Sequence, residues 1–221
     1  MALTLKQKIS SVGYLLTHPK ALQMILSMKE FGYLSDEGWF SSLNSGESVD
    51  KFGEPIPWFT YPAIDFLKER LNKNMTVFEY GSGSSTLFFA NRVKEIISFE
   101  TDRSWFEKVK SKLPPNASII LFDENNSAIS YPKVIDPLNK KFDIIIVDAI
   151  ERNEVLLNSI NYLKEDGVVI LDNSDRDEYR NTMDELKKFH FKRIDFWGIQ
   201  AAYLNKTCTT IFYKSENCLG I

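Results

Sequence analysis

The apolar positions of the chain follow two periodicities that alternate from residue 61 onward. Apolar runs of strand length, such as MTVFEY (75–80) and KFDIIIVDA (141–149), alternate with stretches whose apolar residues recur at helical spacing, such as YPAIDFLKERL (61–71). The run at 141–149 is apolar enough to be buried on both faces, as strands of parallel sheets are. This pattern predicts an α/β fold built from repeated strand–helix units.

Five such units are predicted. The strands are expected at residues 75–80, 95–100, 117–123, 141–149 and 167–173. The helices are expected at residues 61–71, 84–93, 102–113, 152–163 and 175–189, with KEDG (164–167) closing the fourth. We expect a serine cap at the start of the helix at 84 and a Ser104–Glu107 capping box in the helix at 102.

Two further strands, 191–198 and 207–214, follow without a helix between them. They are therefore expected to pair with each other in an antiparallel manner at one edge of the sheet. The predicted fold class is an α/β, three-layer Rossmann-like sandwich. Its seven-stranded sheet is mostly parallel with an antiparallel last strand, and N-terminal helices are added to it.

The first 60 residues differ from this pattern and are predicted to be an N-terminal helical extension and connecting segment, ahead of a Rossmann-like domain at 61–221. Residues 5–31 have apolar positions at helical spacing together with four lysines. We expect these helices to pack on their own domain or on a second subunit, so a homodimer is one expected partnership; a mildly basic helix would also suit a membrane surface. Residues 32–60 are expected to be an ordered but irregular connection.

Composition and charge narrow the classes of function. The chain has 221 residues, 43% of them hydrophobic and 26% charged, with a net charge of −3. It has no basic footprint, so nucleic acid is not an expected partner. Cys208 and Cys218 match no metal spacing and indicate reduced thiols in a cytoplasmic protein. Neither a cleavable leader nor a stretch of roughly 20 apolar residues is apparent, so stable membrane insertion is not expected.

Acidic residues stand at the ends of all five predicted strands of the repeated units. They are Glu79, Glu100, Asp123, Asp148 and the pair Asp172–Asn173. A single acid at such a position is more often a helix cap or part of a solvated turn. Five in succession are expected to meet in one crevice, because ligands of open α/β sheets bind beyond the carboxyl ends of the strands.

The stretch VFEYGSGSST (77–86) is a glycine turn between a strand and a helix. Gly81 and Gly83 allow a sharp turn and a close approach of the backbone to a ligand. The following helix N-terminus suits a carboxylate or phosphate group. Glu79 counts against a pyrophosphate and favours a ligand with an ammonium or sulfonium group, while Glu100 is placed to accept hydrogen bonds from both ribose hydroxyls.

With these features the chain resembles the class I S-adenosylmethionine-dependent methyltransferases over about residues 61–213. The resemblance rests on EYGSGSST, the ribose acid Glu100, Asp123 near the adenine, and DIIIVD as the fourth motif. The most similar subgroup is the small bacterial methyltransferase-like proteins of undefined substrate that share WFTYPAI, FEYGSG and VVILDNSDR. The resemblance implies that S-adenosylmethionine is bound by Glu79, Gly81, Ser82, Gly83, Ser84, Thr86, Glu100, Asp123 and Asp148.

A narrower resemblance concerns a metal ion. Catechol-type O-methyltransferases bind Mg²⁺ at positions that correspond to Asp148, Asp172 and Asn173, so Mg²⁺ is a candidate second cofactor. The sequence departs from that family at Glu151, where the family has a lysine base. Glu151 would be a general base if burial raised its pKa, or else an acid at a helix N-terminus. The alternative for Asp172–Asn173 is a turn whose side chains cap the helix that opens at Arg176.

The resemblance implies methyl transfer to an oxygen or nitrogen of a small-molecule or sugar acceptor, with Asp148 and Glu151 near the nucleophile. The acceptor loops are expected at 32–60, 124–139 and 198–206. One alternative is a protein that binds the nucleoside without transfer and acts as a scaffold or regulator. Another is a nicotinamide-dependent oxidoreductase, which is disfavoured because Thr86 stands where the third glycine of GxGxxG would be.

Overall fold

A computed structural model describes residues 4–123, 127 and 129–221 of the chain. Seven strands form one sheet in the order β3-β2-β1-β4-β5-β7-β6. The strands are β1 (Thr76–Tyr80), β2 (Glu95–Glu100), β3 (Ala117–Leu121), β4 (Phe142–Val147), β5 (Leu163–Leu171), β6 (Lys192–Gly198) and β7 (Thr207–Tyr213). β1 to β5 are parallel, and β7 is antiparallel to both of its neighbours. The predicted fold class is confirmed.

Helices cover both faces of the sheet, because the side chains of each central strand are buried on both sides. The helices are α1 (Leu5–Thr17), α2 (Pro19–Ser27), α3 (Tyr33–Asp36), α4 (Trp39–Ser45), α5 (Tyr61–Lys68), α6 (Ser84–Ala90), α7 (Arg103–Lys110), α8 (Arg152–Ser159) and α9 (Arg180–Leu186). In β1, Val77 packs in one core cluster with α5 and α6, and Phe78 packs in a second cluster with α8 and α9. Two hydrophobic cores therefore enclose the sheet.

The last two strands pair as predicted, and the structure adds the order in which they join the sheet. β7 inserts between β5 and β6, with Ile170 opposite Ile211 on one side and Ile194 opposite Ile211 on the other. β6 is therefore the edge strand. This arrangement brings the loop between β6 and β7 to the carboxyl end of β5.

Several predicted element ends are wrong, and each has a local cause. KEDG lies inside β5, because Leu163 already pairs with Phe142 of β4. The N-cap of α6 is Gly83 rather than a serine, and Thr86 supplies the hydroxyl that accepts from the Gly83 N–H at 3.0 Å. The N-cap of α7 is Asp102, whose carboxylate accepts from the Trp105 N–H at 2.7 Å, so no Ser104–Glu107 capping box forms.

The N-terminal helices α1 and α2 contain no buried residue, and their packing on the domain or on a second subunit stays a prediction. Every residue of α1 and α2 is exposed or half-buried, and the two helices contact each other. The connection is less irregular than predicted, since α3 and α4 lie within it and Trp39 of α4 joins the core cluster of α5. Within the described part of the chain, none of the helices combines the length and apolarity that crossing a membrane requires. The division at residue 60 stays a prediction.

Candidate functional site at the carboxyl ends of the strands

The turn after β1 has a conformation that only glycine adopts readily. Gly81 has a φ of +101°, and its N–H donates to the carbonyl of Phe99 at 2.9 Å. A Cβ on Gly81 would lie 2.5 Å from the carbonyl oxygen of Asp148, so a side chain at position 81 would clash with the backbone that follows β4. The turn therefore lies directly beside the end of β4.

Glu79 lies beneath this turn, where no ligand reaches it. Its side chain is 1% exposed, and it accepts hydrogen bonds from the hydroxyls of Ser85, Thr86 (2.6 Å) and Ser98 (2.7 Å). Burial raises the pKa of Glu79 to about 7, although the three hydroxyls oppose the rise. The expected contact of Glu79 with a sulfonium is therefore wrong. Glu79 and Thr86 hold the turn together from inside.

Glu100 ends β2 with its carboxylate fixed. Its Oε1 accepts from the backbone N–H groups of Thr101 (2.8 Å) and Asp102 (2.9 Å), and its Oε2 accepts from the hydroxyl of Ser82 (2.6 Å). The residue is 8% exposed. A carboxylate has about four hydrogen-bond sites, so these three donors leave one oriented site for a hydroxyl group at the mouth of the turn. The ribose role of Glu100 stays a prediction.

A pocket of about 340 Å³ opens beside Glu100, between the ends of β2, β3 and β4. Its walls are Thr101, Arg103, Leu121, Phe122, Asp123, Tyr131, Ile150 and Glu151. Asp123, for which an adenine contact is predicted, is therefore part of a pocket wall. The hydroxyl of Tyr131 is buried and has no hydrogen-bond partner in the described residues, as is also true of Tyr61.

These features fit the nucleoside part of S-adenosylmethionine. Gly81 lets the turn lie against the Asp148 carbonyl, Glu100 presents an oriented carboxylate, and Tyr131 lines the adjoining pocket. Sequence reasoning missed Tyr131, which begins a short 3₁₀ helix between β3 and β4, where no periodicity singles it out. It also missed Trp105, whose indole N–H donates to the carbonyl of Ser82 at 2.9 Å and so supports the turn.

A half-buried ion pair lies where β4 and β5 end. Arg152, the first residue of α8, donates from Nη2 to Oδ1 of Asp148 at 2.7 Å, and its side chain is 10% exposed. Nη1 donates to the carbonyl of Asp172 at 2.5 Å, and Nε donates to the carbonyl of Ala149 at 2.8 Å. The guanidinium therefore joins the ends of β4 and β5.

Asp172 and Asn173 lie together at the end of β5 but face different partners. Asp172 is 2% exposed, and its carboxylate accepts from Thr209 (2.7 Å) and Gln200 (3.0 Å). Burial and the charge of Asp148 raise the pKa of Asp172 well above its ordinary value. Asn173 has a φ of +49° and forms a turn, but α9 begins only at Arg180 without a side-chain cap, so the predicted capping role is wrong.

The predicted Mg²⁺ set is also a poor fit. Arg152 already donates to Asp148, to the carbonyl of Asp172 and, at 3.4 Å, to Oδ1 of Asn173. The carboxylate of Asp172 is turned toward β7 rather than toward Asp148. Among residues 4–123, 127 and 129–221, no group of three or more His, Cys, Asp or Glu residues could hold a metal ion.

Glu151 does not have the burial that a general base at this position requires. Its side chain is exposed, its backbone has a φ of +52°, and it lines the pocket of about 340 Å³ together with Ile150. Glu151 is the N-cap residue of α8 but makes no side-chain capping hydrogen bond. Glu151 is therefore exposed whereas Asp148 is half-buried, although the two are close in sequence.

A second pocket, of about 450 Å³, lies beyond Asp172 and is walled by the loop between β6 and β7. Its lining is polar and includes Asn173, Asp175, Arg176, Gln200, Tyr203, Asn205, Lys206 and Thr207. The predicted acceptor loop 198–206 is part of this wall. In the predicted loop 124–139, residues 124–126 and 128 lie outside the described residues.

Comparison with known proteins supports the fold assignment. No family model and no curated protein matches the chain. Among solved structures, a precorrin-6y C5,15-methyltransferase from Geobacter metallireducens is 15% identical, with a TM-score of 0.55 over 70% of this chain and 87% of that chain. An rRNA methylase from Streptococcus thermophilus is 16% identical, with a TM-score of 0.53 over 70% and 97%.

A methyltransferase candidate from Streptococcus mutans, solved in complex with S-adenosylhomocysteine (SAH), is 14% identical, with a TM-score of 0.50 over 67% of this chain and 94% of that chain. Identities this low establish a shared fold and leave the reaction to be argued from the site. The strand order of the sheet and the antiparallel β7 are consistent with the similarity to these solved structures. The chain therefore has the fold of the class I S-adenosylmethionine-dependent methyltransferases.

Proposed function

We propose that the protein is an S-adenosylmethionine-dependent methyltransferase that acts on a polar small molecule or sugar. The observation that carries this proposal is the oriented carboxylate of Glu100 between the Gly81 turn and a pocket of about 340 Å³. A ribose bound to Glu100 would place a base in that pocket, against Asp123 and Tyr131. The methionine part would lie along the turn, next to the end of β4.

When bound, S-adenosylmethionine supplies an electrophilic methyl group on a sulfonium. The protein contributes chiefly by positioning the acceptor in line with that group and by excluding water. Asp148 lies beside the turn, and Arg152 holds its Oδ1 in place. The other carboxylate oxygen of Asp148 is suited to form a hydrogen bond with the N–H or O–H group of the methyl-accepting substrate. It can take up the proton of that group as the methyl group is transferred. Glu151 is exposed and is not assigned a catalytic role.

The polar pocket next to Asp172 supports the choice of acceptor. Amide, hydroxyl and charged side chains of both signs line it, which suits a ligand rich in hydroxyl or amino groups. Some structural neighbours are named as methylases of RNA, as the Streptococcus thermophilus protein is. The net charge of −3 favours a small acceptor over a polyanion for this chain.

Calorimetric titration with S-adenosylmethionine, SAH and NAD⁺ tests the proposal. We expect micromolar binding of the two sulfur nucleosides and none of NAD⁺. Binding of NAD⁺ alone would favour the oxidoreductase alternative, and failure of both nucleosides to bind would refute the proposal. Tight binding without transfer to any member of a broad acceptor panel would favour the scaffold or regulator alternative.

Replacing Glu100 by alanine should weaken SAH binding by about 1–3 kcal/mol, or about 5–150-fold, because ribose hydroxyls would lose a charged acceptor. Glu107→Ala is the matched control, since it removes an exposed acid from the neighbouring α7. Titration calorimetry on both variants gives the comparison. Equal affinities in the two variants would remove Glu100 from the site.

The exposed N-terminal helices support a homodimer. Leu5, Ile9, Val12 and Leu16 are exposed on α1 and are spaced by 4, 3 and 4 residues, which is the spacing of a coiled-coil seam. Such a narrow stripe suits pairing with a second helix better than the broad apolar face that a lipid surface requires. We propose that α1 pairs with α1 of a second copy.

Light scattering after size exclusion should therefore give twice the 25.5 kDa mass of one chain. The double substitution Ile9→Glu with Leu16→Glu should give a monomer, because it introduces two charges into the seam. Ser10→Glu, on the other side of α1, should leave the mass unchanged. A monomeric wild-type protein at high concentration would contradict the pairing.

A further inference from the structure

We propose that Arg152 is a built-in cation that replaces a divalent metal ion at the carboxyl ends of β4 and β5. The role of Arg152 in methyl transfer rests on the proposed function, whereas its occupation of a cation site does not. The proposal concerns the group of oxygen atoms around the guanidinium, which we call the oxygen cluster. It consists of the Asp148 carboxylate, the Asp172 and Ala149 carbonyls, and the Asn173 amide oxygen.

The oxygen cluster has the composition of a hard-cation site. Carboxylate, backbone carbonyl and amide oxygens are the ligands that Mg²⁺ and Ca²⁺ prefer. Here all four oxygens accept from one side chain: Nη2 reaches Asp148 at 2.7 Å, Nε reaches Ala149 at 2.8 Å, and Nη1 reaches the carbonyl of Asp172 at 2.5 Å and Asn173 at 3.4 Å. A guanidinium is planar and presents five N–H donors in a fixed fork, so it satisfies several acceptors at once.

The position of Arg152 in its helix is unfavourable by itself. Arg152 is the first residue of α8, and the N-terminus of a helix disfavours a positive charge. The preceding residue, Glu151, is in the left-handed region with a φ of +52°. A largely buried cation at this position is stable only because the oxygen cluster surrounds it. The positive charge of Arg152 therefore lies at the oxygen cluster although the N-terminus of α8 disfavours it.

The consequence is a permanent positive charge next to Asp148. The charge belongs to a side chain of the protein and not to a bound ion, so a chelator would not remove it. It keeps Oδ1 of Asp148 fixed, so Arg152 acts as a positioning residue for Asp148. The crevice is thereby committed to a metal-independent arrangement, unlike the Mg²⁺-dependent family that the Asp148, Asp172 and Asn173 positions resemble.

Removing Arg152 should expose the oxygen cluster to a real cation. We expect the wild-type protein to bind no Mn²⁺ at millimolar concentrations, as measured by the electron paramagnetic resonance signal of free Mn²⁺. Arg152→Ala should bind one Mn²⁺ per chain, with a dissociation constant at least tenfold below the millimolar concentrations at which the wild type binds none. Adding Asp148→Asn to Arg152→Ala should abolish the gain, because it removes the carboxylate of the cluster.

Arg152→Gln is the second variant, because its side chain keeps hydrogen bonds to the carbonyls without the charge; it should gain weaker Mn²⁺ binding than Arg152→Ala. Circular dichroism establishes folding of each variant. Mn²⁺ binding by the wild-type protein that Asp148→Asn abolishes would overturn the proposal, as would the absence of any gain in both folded Arg152 variants. SAH titration tests the nucleoside site separately, so the two proposals can fail independently.

Discussion

Replacing Gly81 by alanine should destabilise the protein by about 2–6 kcal/mol and abolish measurable SAH binding. Two costs add at this position. An alanine with a φ near +101° is strained by about 1–3 kcal/mol, and forcing a Cβ to within 2.5 Å of the Asp148 carbonyl overpacks the contact by about another 1–3 kcal/mol. Either the turn or the end of β4 must move, and both line the proposed nucleoside site.

Gly53 provides a matched control for the backbone strain caused by a positive φ. Gly53 has a φ of +84°, but no atom lies within 4 Å of a Cβ built on it, so Gly53→Ala suffers the strain without the clash. Urea denaturation should place Gly81→Ala well below Gly53→Ala in stability, and titration calorimetry should detect SAH binding only to Gly53→Ala. Normal SAH affinity in Gly81→Ala would mean that the turn does not contact the cofactor.

The fold was predictable because, from residue 61 onward, the apolar pattern of each segment agrees with its burial in the sheet. β1 and β4 are runs of apolar residues that no helical periodicity interrupts, and both are buried on both faces in the sheet. The errors arise where tertiary contacts decide local structure. Residues 164–166 have the polarity of a loop, yet they continue β5 because Leu163 pairs with Phe142 in the neighbouring strand.

The sequence indicates where the candidate site lies in the fold, but it does not indicate which hydrogen-bond partners its side chains have. A parallel sheet brings the ends of its strands to one edge, so Glu100 and Asp148 were expected to share a crevice. Which atoms face the ligand depends on side-chain contacts across the fold. Glu79 turns inward to three hydroxyls, and Asp172 turns toward Thr209 of a strand 37 residues away. No spacing in the sequence reveals these choices.

The inward orientation of Glu79 makes protein stability depend on pH in an unusual direction. Burial raises the pKa of Glu79 from its ordinary value of 4.5 to about 7 in the folded protein. Between these two pH values the folded protein keeps a proton that the unfolded chain releases. Protonation of Glu79 therefore contributes stability that is fully present below pH 4.5 and is lost as the pH rises through 7.

Replacing Glu79 by glutamine should remove this dependence. The carboxamide is neutral at every pH and keeps oxygen acceptance for the hydroxyls of Thr86 and Ser98. The free energy of unfolding of the wild type relative to Glu79→Gln should therefore fall by about 3 kcal/mol between pH 4.5 and pH 8, from the size of the pKa shift. Urea denaturation of both proteins at a series of pH values gives this difference, in which titration of the other groups cancels.

Asp143→Asn is the control of opposite sign. Burial would raise the pKa of Asp143, but hydrogen bonds from Lys164 and Thr76 outweigh burial and lower it below its ordinary value of 3.8. Ionised Asp143 therefore stabilises the fold at neutral pH, and its contribution disappears as the pH falls below 3.8. A difference between wild type and Glu79→Gln that stays constant from pH 4.5 to pH 8 would show that Glu79 carries its charge throughout. The hydroxyls of Ser85, Thr86 and Ser98 would then stabilise a buried carboxylate, and the turn would hold a negative charge directly beneath the proposed cofactor.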